Sequence, residues 1–466
     1  MQFPDLITGR ATPARALVIG VGRSGIAAAR VLSRSGWQVV LSDSNHTESL
    51  QKISQEISKE GIEVRLNHLP SLEGEEKPSL IVVSPGVPWD IPLLEQAREK
   101  NIDVIGEIEL AYRNLSHIPW VAITGTNGKT TTTALVEAIF RCAGLNVQAC
   151  GNIGYAACEL ILNSSQQLDW VIAEISSYQI ESSSKLAPTI GVWTTFTPDH
   201  LKRHKTLDKY FEIKASLLER SKHKIFNRDD QNLSDRLGSV EKLHWTSTKS
   251  LLDDSGVYLE DNWIKAFGEL IMPIDIFKMP GNHNQQNLLM AVAVARLANI
   301  EKEAIVKAMS NFSGIAHRLE KICTVDGVDY INDSKATNYD ASQVGMEAID
   351  GSFVLIAGGQ AKEGDNSAWL KSIRSRATAV LLIGDASELF AEHLKKSGYL
   401  NFEKIGDMEK AIPRSLELAK STGAKNVLLS PACASFDQYS SFEERGEHFR
   451  DLSQKLSLSN DILKKG

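Results

Sequence analysis

Short apolar runs rich in β-branched residues alternate with stretches of helical periodicity along the first third of the chain. Ala16-Leu-Val-Ile-Gly20 reads as a strand, Ile26 to Ser35 as a helix and Gln38-Val-Val-Leu-Ser42 as a second strand. Leu80-Ile-Val-Val-Ser84 runs into Pro85-Gly86, a strand followed by a turn. Strands alternating with helices predict parallel sheets joined by crossovers. The pattern restarts at Trp120-Val-Ala-Ile-Thr124, with further strands at Trp170-Val-Ile-Ala173 and Ile190-Gly-Val-Trp193. A third cycle follows at Phe353-Val-Leu-Ile-Ala357, Ala379-Val-Leu-Leu-Ile383 and Asn426-Val-Leu-Leu-Ser430. The expected fold class is α/β in three domains. These are a Rossmann-like N-terminal domain over 1–112, a central parallel-sheet domain over 113–314 and a C-terminal Rossmann-like domain over 315–466. No fixed-period repeat runs along the chain.

The length agrees with that division, since 466 residues at about 150 per domain make three. The 42% apolar and 23% charged content is that of a globular chain. Acidic residues number 58 and basic ones 51, a formal charge of −7, which argues against a dedicated partner for nucleic acid or an anionic membrane. Five cysteines form no CxxC pair and fit reduced thiols. The N-terminus carries no signal-peptide pattern, and no apolar run approaches the ~18 residues of a membrane span; Leu288 to Ala295 is among the longest. The expectation is a cytoplasmic protein and, without an apolar interface stripe, a monomer.

Local chemistry is sharpest at Ile123-Thr-Gly-Thr-Asn-Gly-Lys-Thr130, on a strand-to-helix turn. Gly125 and Gly128 let amides approach phosphate, and the helix from Lys129 aims its positive end at the anion. Lys129 can reach outer phosphates and the Thr130 hydroxyl can bind Mg²⁺. The usual first glycine of such a loop falls at Ile123, so the match is incomplete. The competing reading is a glycine-rich turn with an accidental lysine. The context of strand, helix and following threonine favours a nucleoside triphosphate, which makes the central domain P-loop ATPase-like.

A second glycine turn, Gly20-Val-Gly-Arg-Ser-Gly25, also follows a strand and opens a helix, with Asp43 ending the next strand. This is the dinucleotide fingerprint in form. NAD, a uridine nucleotide or no ligand could follow it, and an NAD-dependent oxidoreductase is one reading of this turn alone. The triphosphate loop weakens that reading.

Lys214 stands out on a predicted helix from Asp208 to Arg220. Tyr210, Phe211, Leu217 and Leu218 share its face at i±3 and i±4. Either its stem snorkels to water, or it is buried with a lowered amine pKa.

Thr124-Gly-Thr-Asn-Gly-Lys-Thr-Thr131 resembles the ATP loop of the Mur ligase family. The resemblance runs in order through Gly151-Asn-Ile-Gly154, Glu174-Ile-Ser-Ser177, Pro198-Asp-His-Leu201 and Gly281-Asn-His-Asn284. It continues in His317-Arg-Leu-Glu320, Asn332-Asp-Ser-Lys-Ala-Thr-Asn338 and Ser430-Pro-Ala-Cys-Ala-Ser-Phe-Asp437. It implies an ATP-dependent amide ligase working through an acyl phosphate. The first turn with the DSKATN and SPACASFDQ segments implies D-glutamate joined to UDP-N-acetylmuramoyl-L-alanine, a step of peptidoglycan precursor synthesis. A sibling ligase for another amino acid, or a folylpolyglutamate-type one, is the nearest alternative.

The resemblance also implies the site. ATP would meet Gly125, Thr126, Asn127, Gly128, Lys129, Thr130 and Thr131, with Asn284 and Asn287 at adenine and Arg318 and Asp333 at phosphate and ribose. Helix capping competes for one of the two asparagines. Two Mg²⁺ would be held by Thr130, Glu174, His200 and a Lys214 carbamylated by CO₂, with Lys129 completing the catalytic set. The UDP moiety would meet Gly22, Arg23, Ser24 and Gly25, then Asp43 and Ser44, with Ser84, Gly86 and Asn152. D-Glutamate would meet Lys335, Thr337, Lys362, Ser435 and Phe442. Three positions depart from the family pattern: Lys202 replaces an acid, Lys205 a glycine, and Ala361 an acid before Lys362.

Overall fold

The structure is a computed structural model describing residues 14–68, 70–74, 77–152, 154–163, 167–238, 243–312, 314–361 and 364–465. It divides into two compact units, Met1–Phe277 with Asn282–Phe312 and Lys278–Gly281 with Ser313–Gly466. The first unit carries two sheets and the second carries one.

The first sheet comprises β1 (Arg15–Ile19), β2 (Gln38–Asp43), β3 (Glu63–Leu66), β4 (Leu80–Val83) and β5 (Asp103–Gly106), all parallel in the order β3-β2-β1-β4-β5. β1 and β4 read as unbroken apolar runs because helices cover both faces of a parallel sheet. The helix after β1 spans Arg23–Arg34 and starts three residues before the predicted Ile26. Gly22, in extended conformation, is its N-cap, and Ala27, Ala28 and Ala29 pack it closely against the sheet.

The second sheet has nine strands: β6 (Trp120–Thr124), β7 (Val147–Gly151), β8 (Trp170–Glu174), β9 (Ile190–Trp193), β10 (His223–Asn227), β11 (His244–Ser247), β12 (Val257–Glu260), β13 (Trp263–Ala266) and β14 (Glu269–Pro273). The order is β14-β13-β12-β11-β10-β9-β6-β8-β7, which sets β6 between β8 and β9. Strands β7 to β12 are parallel, but β12, β13 and β14 form an antiparallel meander that the sequence reading did not include. Its turns are Asp261-Asn262, with φ of 47° and 67°, and Phe267-Gly268, with φ of 51° and 83°. Paired left-handed residues are the turn that matches strand twist. The long apolar run Leu288 to Ala295 lies in the helix Asn282–Leu297 and is buried throughout. No helix among the described residues is long and apolar enough to cross a membrane.

The second unit holds β15 (Glu320–Val325), β16 (Val328–Asn332), β17 (Phe353–Gly358), β18 (Ala377–Ile383), β19 (Phe402–Gly406) and β20 (Asn426–Leu429). Its order is β15-β16-β20-β17-β18-β19, parallel except for the β15–β16 hairpin at Asp326-Gly327. The fold is α/β, dominated by parallel sheets, as expected.

Candidate active site

β6 delivers the phosphate loop. Gly125 has φ +149° and Gly128 φ +84°, the latter capping the helix Lys129–Cys142. A Cβ at Gly125 would collide with the Thr194 hydroxyl, and one at Gly128 with the Asn287 carboxamide, so both positions demand glycine on space as well as torsion. Thr194 and Thr195 form the loop's floor through hydrogen bonds to Asn127. Lys129 Nζ curls over the loop, donating to Gly125 O at 2.9 Å and Thr126 O at 2.8 Å.

Lys214 converges on the same turn from the helix Leu207–Arg220. It is 1% exposed, so the snorkelling alternative does not hold. Its Nζ donates to Thr124 Oγ1 and Gly125 O, both at 3.1 Å, and lies 4.8 Å from the Tyr210 ring centroid. Burial first, then the nearby Lys129 charge, holds its pKa well below the ordinary lysine range. The neutral amine is a nucleophile.

Glu174 ends β8 in register with Ile123 of β6, at the mouth of the loop. It is 1% exposed. Its Oε1 accepts from Asn152 Nδ2 at 2.9 Å, while Oε2 is buried without a hydrogen-bond partner. A buried carboxylate oxygen left unsatisfied beside a phosphate loop fits a hard cation that takes its other ligands from phosphate and water. Among the described residues no three His, Cys, Asp or Glu gather as a ready cage. A site completed by the nucleotide needs none.

His200 sits in a left-handed conformation, φ 53°, as N-cap of the short helix Leu201–His204. Its Nδ1 lies 3.2 Å from Tyr178 Oη and its Nε2 3.3 Å from Asp199. At 47% side-chain exposure it remains open to a ligand. Lys205, the departure from glycine, has φ 69° and ψ −47°, with Thr206 N bonding back to His204 O at 2.8 Å. That is a γ-turn, a strained shape for a residue with a Cβ. The Lys202 side chain is outside the described residues.

The first unit also contains a cavity of about 920 Å³ at the exits of β1, β2 and β4. Gly22, Arg23, Ser24, Asp43, Ser44, Ser84, Gly86 and Asn152 all line it, as the sequence anticipated. Gly25 does not. It packs against Gly20 O, where a Cβ would clash. Arg23 pairs with Glu159 at 3.3 Å. Both Asp43 oxygens are engaged, Oδ2 by Val21 N and Oδ1 by Asn45 N and Nδ2. The acid therefore shapes the turn.

Asn284 and Asn287 are buried at the start of the helix Asn282–Leu297. Asn287 also lies 3.4 Å from Thr132 Oγ1. Arg318 and Asp333 belong to the second unit. There, burial raises the Asp333 carboxyl to about 7, and Ser430 Oγ donates to it at 2.8 Å. Lys335 Nζ lies 5.6 Å from the Phe442 ring, and Ser435 is buried nearby in sequence to Cys433. Lys362 lies outside the described residues.

Several contributors were not predicted. Buried Arg445 donates to Ser334 Oγ and O, 111 residues away in sequence, and to Cys433 O, twelve away, tying the DSKAT loop to the SPACAS loop. His204 is buried, bonds Ser177 at 2.9 Å and stacks on Tyr210. Burial, aided by His200, Arg203 and Lys214, lowers its pKa to about 4. Gln179 lines the cavity, yet in sequence it reads as the partner of Ser176 in a capping box, a bond it does make.

Residues 14–106 match the MurD-like N-terminal domain of Mur ligases, 123–295 the Mur ligase middle domain and 317–433 the glutamate ligase domain. The chain is 60% identical to the UDP-N-acetylmuramoylalanine–D-glutamate ligase of Gloeothece citriformis, covering 95% of this chain and all of that one. It is 61% identical to the enzyme of that name from a Synechocystis species, covering 94% and 98%. In fold it resembles the UDP-N-acetylmuramate-alanine ligase of Thermotoga maritima, with TM-score 0.60, 18% identity and coverage of 95% and 99%. A pseudomurein peptide ligase from Methanothermus fervidus aligns with TM-score 0.57, 20% identity and coverage of 95% and 100%.

Proposed function

The chain belongs to the Mur ligase family, and from that premise we propose that it joins D-glutamate to UDP-N-acetylmuramoyl-L-alanine with ATP. The observation that carries the reading is the convergence of Lys129, a buried Lys214 and the unsatisfied Glu174 oxygen on one phosphate loop, beside a cavity of nucleotide size.

The substrate's terminal carboxylate attacks the γ-phosphorus of ATP, the bond to the bridging oxygen breaks, and ADP leaves. The D-glutamate amine then attacks the acyl carbon, loses a proton, and expels phosphate. Lys129 exchanges its two carbonyl partners for phosphate oxygens, and the loop amides from Gly125 to Thr131 cradle the chain of phosphates. Thr130, Glu174, His200 and Lys214 would hold two Mg²⁺, which would supply charge neutralisation at the γ-phosphate. Lys214 would do so as a carbamate: its neutral amine would add to CO₂, with an N–C bond formed, a C–O π bond opened and a proton lost. Asn152 spans the two regions, fixing Glu174 with its amide and facing the UDP-sugar cavity. Arg318 and Asp333 serve ATP. Lys335, Thr337, Lys362, Ser435 and Phe442 serve D-glutamate, with Arg445 tying the loops of Lys335 and Ser435 together. We take the enzyme to be a cytoplasmic monomer.

Product analysis tests the reading. ADP and phosphate should form only with ATP, UDP-N-acetylmuramoyl-L-alanine and D-glutamate together. Equal turnover with L-glutamate, L-lysine or diaminopimelate, or any nicotinamide turnover, would overturn it.

A further inference from the structure

Glu174 and His200 stand on separate segments, and the short helices that follow them are tied to each other. Glu174 precedes the helix Ser177–Glu181, and His200 caps the helix Leu201–His204. Four residues are far too few for a helix to hold itself. Side chains hold this one. His204 Nε2 lies 2.9 Å from Ser177 Oγ, at the start of the other helix. Arg203 Nη2 donates to Glu181 Oε2 at 2.8 Å, at its end. Ties at both ends fix the direction of the second helix as well as its distance, and with them the spacing of His200 from Glu174.

Arg203 has a second arm. Its Nη1 donates to Asp90 Oδ1 at 2.7 Å, 113 residues away in sequence. Asp90 lies between Pro88 and Ile91, which line the 920 Å³ cavity together with Ser84 to Val87. Arg98 donates to the adjacent Trp89 O at 2.9 Å and covers its ring at 4.3 Å, which stiffens the loop where Asp90 leaves it. A smaller cavity of about 180 Å³ is lined by this same loop and by Tyr178 and Ser182 of the helix that ends in Glu181. Packing therefore does not seat the cavity wall on that helix here. Arg203 lines the gap too, half-buried, and holds an acid on each side of it. A planar guanidinium can grip two carboxylates at fixed angles, and a lysine ammonium cannot.

We propose that Arg203 is a positioning residue that sets His200 at once against Glu174 and against the wall of the UDP-sugar cavity, so that the substrate's carboxylate meets the cation in register. The inference rests on the reading of Glu174 and His200 as cation ligands and of the cavity as the UDP-sugar site.

The test separates the two arms. Mn²⁺ titrated into the enzyme and followed by electron paramagnetic resonance reports the cation site. Calorimetry of UDP-N-acetylmuramoyl-L-alanine without metal reports the wall. Glu181→Gln should weaken Mn²⁺ binding about tenfold, the scale of losing a group that orients a metal ligand, and leave the affinity for the UDP substrate unchanged. Asp90→Asn removes an exposed acid with little effect on stability; it should weaken the UDP substrate about threefold and leave Mn²⁺ binding unchanged. Arg203→Lys should show both losses, with kcat down about 10²-fold through misplacement of the reacting groups and KM for ATP unchanged. A wild-type kcat in Arg203→Lys would overturn the proposal. So would acid variants in which both affinities fall together with the thermal midpoint, the mark of a merely structural arginine. A wild type that binds no Mn²⁺, or no UDP substrate, would instead sink the reading of the cation site, or of the cavity, and the inference with it.

Discussion

Two buried glutamates of the first unit are built alike and surrounded differently. Glu107 and Glu174 are each 1% exposed, and each has one oxygen bonded and the other buried without a partner. Glu107 opens the helix Glu107–Leu115 and accepts from Cys158 N, with Cys150 and Cys158 thiols and the Glu159 charge around it. Burial, reinforced by Glu159, raises its carboxyl to about 7. Glu174 stands in register with Ile123, two residues before Gly125, whose carbonyl receives both Lys129 and Lys214. An unsatisfied oxygen is therefore not a site in itself. It becomes one where cationic groups converge and a ligand can enter; elsewhere it is a liability of the core.

The largest effect that would break this contrast is catalytic. Glu174→Gln should lower kcat by about 10³-fold, the scale of removing an electrostatic stabiliser, and weaken Mg²⁺ binding, while the thermal midpoint holds or rises. A variant that loses stability but keeps activity would put Glu174 in the same class as Glu107. Lys214→Ala should cost about 10²-fold in kcat, and added short carboxylates should restore part of it. Full activity without them would remove the carbamate from the reading.

The converse experiment is on Glu107. Its carboxyl ionises near 4.5 in an unfolded chain and at about 7 in the folded one. Between those values only the unfolded chain has released its proton, so this group's contribution to stability falls as pH rises, and the loss is complete above 7. Glu107→Gln should abolish that slope, gaining up to about 3 kcal/mol over the wild type at pH 8 relative to pH 4, with kcat unchanged. Denaturant melts at the two values measure it. An equal difference at both would mean that Glu107 is not held protonated.

The contrast also explains what the sequence made legible. The phosphate loop, its glycines and Lys129 are local features, and Lys214 betrayed itself as a charge on an apolar stripe. Glu174 was readable as a strand-end acid only beside the family pattern. Glu107 was not readable, because an acid in the first turn of a helix is ordinary and its burial comes from packing against Cys158, fifty-one residues on. Arg445, His204 and Tyr178 act through partners distant in sequence or through ring stacking, which periodicity does not record. The meander turns at Asp261-Asn262 and Phe267-Gly268 did carry a signal, but their strands are four or five residues long and lack a clean alternation.

The smallest effect sharpens the comparison by asking whether strain next to the site serves it. Lys205 holds a left-handed γ-turn immediately after the helix that His200 caps. A glycine there removes the Cβ penalty of about 1–2 kcal/mol but gives back part of it through a freer unfolded chain. Lys205→Gly should therefore stabilise the protein by about 1 kcal/mol or less, read as a small rise in thermal midpoint, with kcat and KM unchanged. Unlike the unsatisfied oxygen of Glu174, this strain is relieved by removing a Cβ and not by adding a ligand. A fall in kcat accompanying the gain in stability would show that the turn holds His200 in its working position, and would move Lys205 from Glu107's side of the comparison to Glu174's.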